Sequence, residues 1–138
     1  MTSPVDRHAI LVLLPTETRI AIAGGPRTGK TTLAKTFPEA LHTDDLMGMG
    51  WSQASEYVAS HWLTRQGPLV VEGVAVPRAL RKWLVANQRG KPVDVVVWMA
   101  KPFVALTAGQ VSMAKGCETV MAGLRGELAM RGVRLVTI

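Results

Sequence analysis

Residues 19–33 read RIAIAGGPRTGKTTL: an alternating apolar run, a glycine-rich turn, then a lysine and two threonines opening a segment with helical character. Gly24, Gly29, Lys30 and Thr31 keep the spacing GxxxxGK[ST], and they stand where that pattern must, after a strand and before a helix. Each residue type has a chemical reason. Glycines let successive backbone N–H groups turn inward as an anion nest, and a helix starting at the lysine aims its positive end at the same point. Lys30 adds a mobile ammonium for β- and γ-phosphates, and Thr31 offers a small hydroxyl suited to Mg²⁺. Gly24, Gly25, Pro26, Arg27, Thr28, Gly29, Lys30, Thr31 and Thr32 are therefore expected to cradle a nucleoside triphosphate, ATP, with its Mg²⁺. An ordinary strand-to-helix turn would need neither the lysine nor the hydroxyl.

Phosphoryl transfer also needs an acid that orients or deprotonates the attacking hydroxyl, and often a second that holds the metal directly or through water. Asp44 and Asp45 follow a short apolar run, and Glu72 ends another. Two adjacent aspartates cannot both point inward, so Asp44 is the preferred base and Asp45 the second choice; either could instead cap a helix or solvate a loop. Glu72 would be costly to bury without a cation or donors, which suits a place beside the Mg²⁺. Glu72-Gly73, where a hydrolytic ATPase would usually have aspartate followed by glutamate, leans towards a small kinase.

These groups have to be positioned by regular elements. Strands are expected at residues 9–14, 19–23, 40–43, 69–72, 93–99 and 133–138, the first leaving open an N-terminal hairpin. Helices are expected at 30–36, at 52–65 with Ser52 as cap, and at 77–86 with Pro77 in the first turn. Residues 103–130 read as two helical pieces around a movable segment, because Gly109, Gly116, Gly123 and Gly126 interrupt the pattern. Alternating strands and helices argue for an α/β fold, an open parallel sheet covered on both faces. Ligands of such sheets bind beyond the carboxyl ends of the strands, so the phosphate loop, Asp44, Asp45 and Glu72 converge.

With 138 residues, 48% of them hydrophobic and 19% charged, the chain fits one domain, 1–138, with a loosely held start at 1–8. The net charge of +6 suits a polyanionic partner, nucleotide or nucleic acid. Arg78, Arg81, Lys82, Arg89 and Lys91 concentrate that charge, either as a phosphate clamp or as a solvated helix face. One cysteine, Cys117, excludes an internal disulfide and a cysteine-cluster metal site, and a reducing cytoplasm fits. The apolar run 9–14 is too short to span a membrane. Of the four tryptophans, Trp51 in its glycine-rich loop is the candidate to stack on a base, and His8, His42 and His61 are given no chemistry. Residues 101–120 are the candidate lid, hinged at Gly109 and Gly116 and carrying Lys101 and Lys115, with an inert helical hairpin as the alternative.

On these residues the chain resembles the small P-loop kinases of the nucleoside-monophosphate-kinase type. GGPRTGKTTLAK is similar to their nucleotide loop, HTDDLM to the second-strand acidic motif of the polynucleotide kinase and zeta-toxin branch of P-loop NTPases, and LVVEGV to their third strand. The resemblance runs from Arg19 over nearly the whole remaining chain. It implies a three-layer αβα P-loop NTPase fold with a parallel five-stranded sheet. It also implies transfer of the γ-phosphate of ATP, with Mg²⁺, to a hydroxyl or phosphate of a nucleoside, nucleotide, polynucleotide 5′ end or other small molecule. In that branch the first aspartate of the pair is the general base for a 5′-hydroxyl, a role that falls on Asp44, while Arg78 or Arg81 would clamp the acceptor. The chain departs in two places: Leu46-Met47 stand where an arginine is usual, and the lid region carries Lys101, Lys115, Arg125 and Arg131 without an arginine-rich run. Two other functions therefore stay in view, an ATP-binding accessory or switch protein without kinase activity and a nucleic-acid-binding ATPase.

Overall fold

A computed structural model describes residues 18–37 and 39–138. The strand expected at 9–14, the hairpin and the N-terminal tail lie outside the described residues. Strand β1 (Arg19–Gly24) leads through the glycine-rich loop into helix α1 (Lys30–Ala34), and β2 (Leu41–His42) into a 3₁₀ segment (Thr43–Met49). Helix α2 (Trp51–Tyr57) ends in a π turn (Val58–Trp62); β3 (Leu69–Glu72), α3 (Val76–Ala86), β4 (Val95–Met99), α4 (Ala108–Met130) and β5 (Arg134–Thr137) follow.

The five strands form one parallel sheet in the order β2-β3-β1-β4-β5. Central strands of a sheet covered on both sides must be apolar at every position, and β4, VVVWM, is buried throughout. Alternation divides these side chains between two cores. Ile20, Ile22, Val95, Val97 and Met99 pack with Leu33 and Ala34 of α1, while Ala21, Ala23, Val71, Val96 and Trp98 pack with α2, α3 and α4. Each fully buried Val or Ile contributes about 1.5–3 kcal/mol. The result is a mixed α/β fold with helices on both faces of a parallel sheet.

The end of the sheet remote from the loop is tied by Arg19. Its guanidinium donates to the carbonyls of Leu63, Gly67 and Pro92 at 2.9–3.2 Å, and its backbone N–H donates to Asp94 Oδ2 at 2.8 Å. Burial opposes ionisation of Asp94, but that N–H and Lys91 outweigh it and hold the carboxyl below its usual range. The stability this adds is present above the ordinary carboxylate range and is lost as pH falls through the depressed value.

Three expectations are corrected. Helix α1 stops at Ala34, because the N–H groups of Thr36 and Phe37 turn to the i−3 carbonyls of Leu33 and Ala34. Helix α2 starts at Trp51 with Gly50, not Ser52, at its cap, and its last turn widens to π, with Leu63 N–H reaching Val58 O at 2.9 Å. That extra residue places both Trp62 and Leu63 in the core. The largest difference is α4, which is one continuous helix of 23 residues in place of two pieces around a movable segment.

Four helical glycines cost about 1 kcal/mol each, so something must offset them. A Thr107–Gln110 capping box closes the start. At the far end Val133 N–H bonds Leu128 O and Gly132 N–H bonds Ala129 O, the double bond of a Schellman motif. Between these ends Cys117, Met121, Leu124 and Leu128 form a buried stripe against α3 and the sheet. Arg131, grouped by sequence with the lid cations, instead donates to Leu84 O in the last turn of α3 and to Gly90 O beyond it, and pairs with Glu127 at 2.8 Å. A Cβ at Gly123 or Gly126 would meet nothing within 4 Å. Gly123→Ala with Gly126→Ala is therefore expected to raise stability by about 1 kcal/mol per site, read as a higher denaturation midpoint. A lower midpoint would show that the backbone of α4 needs the freedom of glycine at these two positions.

Candidate functional site

The glycine-rich loop leaves the carboxyl end of β1 at the centre of the sheet. Gly29 sits at φ 87° immediately before α1, a left-handed conformation that an L side chain resists. Arg27 also has positive φ, 62°, and is held there by its carbonyl, which accepts the N–H of Phe103 at 2.8 Å. A non-glycine residue in that region stores strain of order 1–3 kcal/mol, a feature concentrated at ligand clamps. The turn is braced by Thr28 Oγ1 donating to Gly25 O at 3.0 Å.

Lys30 is only 9% exposed. Its ammonium donates to Gly25 O at 2.9 Å, and among the described residues two of its three donors have no partner. Burial pushes its pKa down from the ordinary lysine value, against the pull of Glu72 and then Asp44. Beside it opens a cavity of about 410 Å³ lined by the loop from Pro26 to Thr32, Asp44, Trp51, Val74, Phe103 and Met113. The loop supplies backbone, hydroxyl and cationic groups to this lining, and the other elements supply one carboxylate, Asp44, and four apolar or aromatic side chains.

Glu72 lies under this floor, 1% exposed at the end of β3. Its Oε1 accepts Thr31 Oγ1 at 3.2 Å and His42 Nδ1 at 2.6 Å, while Oε2 has no partner among the described residues. A hydroxyl that gives its proton to Glu72 keeps its lone pairs for a cation. The donor set, one hydroxyl and one carboxylate with an unpartnered oxygen, fits Mg²⁺, which takes few protein ligands and completes its shell with phosphate and water. Among the described residues no cluster of three or more His, Cys, Asp and Glu side chains forms an all-protein metal cage.

The positions expected from sequence thus divide. Lys30, Thr31, Asp44 and Trp51 meet at the cavity, with Glu72 below them. Gly24 and Gly25 are buried at the root of the loop. Asp45, Arg81, Lys101 and Lys115 are exposed, and none is among the described residues lining the cavity. Arg78 is half-buried and reaches α4, its guanidinium lying 3.1 Å from where a Cβ on Gly116 would stand. There it adjoins Cys117, whose thiol burial pushes up, with Arg78 and Lys30 opposing. That buried thiol donates to Val74 O at 3.4 Å and is not poised as a nucleophile. The basic cluster is partly spent on structure: Lys82 donates to Ser52 O and Lys91 pairs with Asp94 at 3.2 Å.

Two neighbours of the site, His42 and Val74, carry no expectation from sequence, and two more, Phe103 and Met113, fall within the candidate lid 101–120 without being singled out. His42 was given no chemistry, yet parallel register sets it directly beside Glu72. For Phe103 a signal existed. The TxxQ capping box at Thr107 starts the helix at Ala108, leaving residues 100–107 as a loop beyond the carboxyl end of β4.

Among the described residues no helix is long and apolar enough to cross a membrane. Compared with protein-family models, with curated proteins and with solved structures, the chain gives no match.

Proposed function

We propose that this chain is a small P-loop kinase, moving the γ-phosphate of ATP onto a hydroxyl or phosphate of a nucleoside, nucleotide, polynucleotide 5′ end or other small molecule. The observation that carries it is the convergence, around one cavity, of the glycine-rich loop, a buried lysine and an aspartate from a different strand end. A phosphate cradle alone binds. An acid lining the same cavity gives a place for an acceptor.

In this reading the loop and Lys30 hold the triphosphate, and Thr31 with Glu72 would hold Mg²⁺, which supplies charge neutralisation at the phosphates. The acceptor O–H loses its proton to the Asp44 carboxylate as its oxygen bonds to the γ-phosphorus. The bond from that phosphorus to the β-bridging oxygen breaks, and ADP leaves with the electron pair. Arg78, whose guanidinium lies against α4 at Gly116 and is not among the described residues lining the cavity, is the candidate to clamp an anionic acceptor.

A general base is worth about 10²–10⁴ in rate. Asp44→Asn is therefore expected to lower transfer at least a hundredfold with ATP binding nearly intact, while Asp45→Asn stays within a few-fold of the parent. Labelled ATP, Mg²⁺ and a panel of nucleosides, nucleotides and 5′-hydroxyl oligonucleotides read this directly. Full turnover by Asp44→Asn would remove the assignment. One observation favours a second reading, an ATP-binding switch without transfer: Lys101 and Lys115 are not among the cavity-lining residues, so neither brings a lid cation to the phosphoryl group. Binding without labelled acceptor from any member of the panel would select it; release of free phosphate would instead select a nucleic-acid-binding ATPase.

A further inference from the structure

Phe103 is 69% exposed, yet it lines the cavity. A large aromatic ring left in water beside a phosphate cradle is unexplained by packing. Its backbone is not loose, because its N–H is bonded to Arg27 O inside the loop. Trp51, 42% exposed, lines the same cavity from another element.

The sheet order tells these two rings apart. The loop follows β1, the middle strand; Asp44 and Trp51 follow β2, beyond β3 on one side, and Phe103 follows β4 on the other. In-line phosphoryl transfer puts acceptor and leaving group on opposite sides of the moving phosphorus. With the acceptor on the Asp44 side, the remainder of the donor must run towards β4. We infer that Phe103 is the stacking platform for the heterocyclic base of the nucleotide donor, with Met113 as a soft, polarisable neighbour. Stacking accepts any base with a π-face, so this platform confers a preference for nucleotides over bare polyphosphate and little discrimination among bases. The inference rests on the phosphotransferase reading for the side of the acceptor, and on the cradle for the donor.

The test compares ATP with inorganic tripolyphosphate, which has the phosphates and no ring. By calorimetry with Mg²⁺, Phe103→Ala is expected to weaken ATP roughly tenfold to a hundredfold, the range for loss of one base stack. Tripolyphosphate should bind the variant as it binds the parent, and Phe103→Tyr should restore ATP affinity. Unchanged ATP affinity in Phe103→Ala, or an equal loss for both ligands, would overturn the platform. Failure of tripolyphosphate to bind the parent chain would overturn the cradle itself, and the platform with it.

Discussion

Lys30→Met is expected to weaken binding of Mg²⁺-ATP by about a hundredfold or more, since truncating one partner of a buried charge pair costs about 2–5 kcal/mol. The parent should gain about 2.7 kcal/mol of stability at a ligand concentration of 100 times Kd, read as an upward shift of the thermal midpoint. The variant should show almost none. Without ligand the variant should be no less stable than the parent, because the apo protein derives small benefit from an ammonium that is 9% exposed with one carbonyl partner among the described residues. Its cost is visible in the lowered pKa, for which burial is the main cause. A lysine depressed in the folded state destabilises the fold below that depressed value, and the penalty fades as pH rises through it towards the ordinary lysine value. A bound triphosphate reverses the sign by favouring the ammonium, so ATP affinity should fall over that same rise, in the parent and not in Lys30→Met. Equal ATP affinity in both proteins would remove the lysine from the site and with it the phosphate-cradle reading.

What was legible in the sequence follows from how local each signal is. The β1–loop–α1 unit rests on residues within one stretch of chain, with an apolar alternation and a glycine needing positive φ, and all of it but the end of α1 was readable. So was β4, where five consecutive apolar residues allow little else. β2 has only two residues and exists through its pairing with β3, so periodicity could place it but not bound it. The π turn after α2 is set by where Trp62 and Leu63 must point, a tertiary demand invisible to a helical count.

Helix α4 shows propensity losing to packing. Its glycines weaken it locally, and its stripe at 117, 121, 124 and 128 with caps at both ends outweighs them. Residue type and position past a strand single out Lys30, Thr31, Asp44 and Glu72, and the structure gathers the first three around one cavity with Glu72 bonded to Thr31. Which of two aspartates faces the cavity is decided by the 3₁₀ segment Thr43–Met49, where Asp44 and Asp45 diverge. The pairing of His42 with Glu72 needed register, which no single strand carries.

Gly73→Ala should be the most disruptive single methyl in the chain. The residue has φ 141°, and an added Cβ would fall 1.7 Å from Thr43 Oγ1, 2.8 Å from Thr43 Cβ and 3.1 Å from its Cγ2. Neither partner can give way freely: Thr43 is 0% exposed, and Gly73 N–H is bonded to Ile22 O at 3.1 Å. Overpacking costs about 1–3 kcal/mol and the backbone conformation a similar amount, against a total stability of roughly 5–15 kcal/mol for a domain. A loss of about 3–5 kcal/mol is expected, lowering the thermal midpoint by about 10 °C or more. The same displacement moves the residue preceding Asp44, so acceptor turnover should fall further than ATP binding. Thr43→Ala in the Gly73→Ala background removes the 1.7 Å and 3.1 Å contacts and leaves the one at 2.8 Å, so it should recover part of the loss. Thr43 Oγ1 has no hydrogen-bond partner among the described residues, so Thr43→Ala alone should cost little. A double-mutant cycle with coupling near zero would show that the close approach of β2 and β3 at this point is not what the glycine is for.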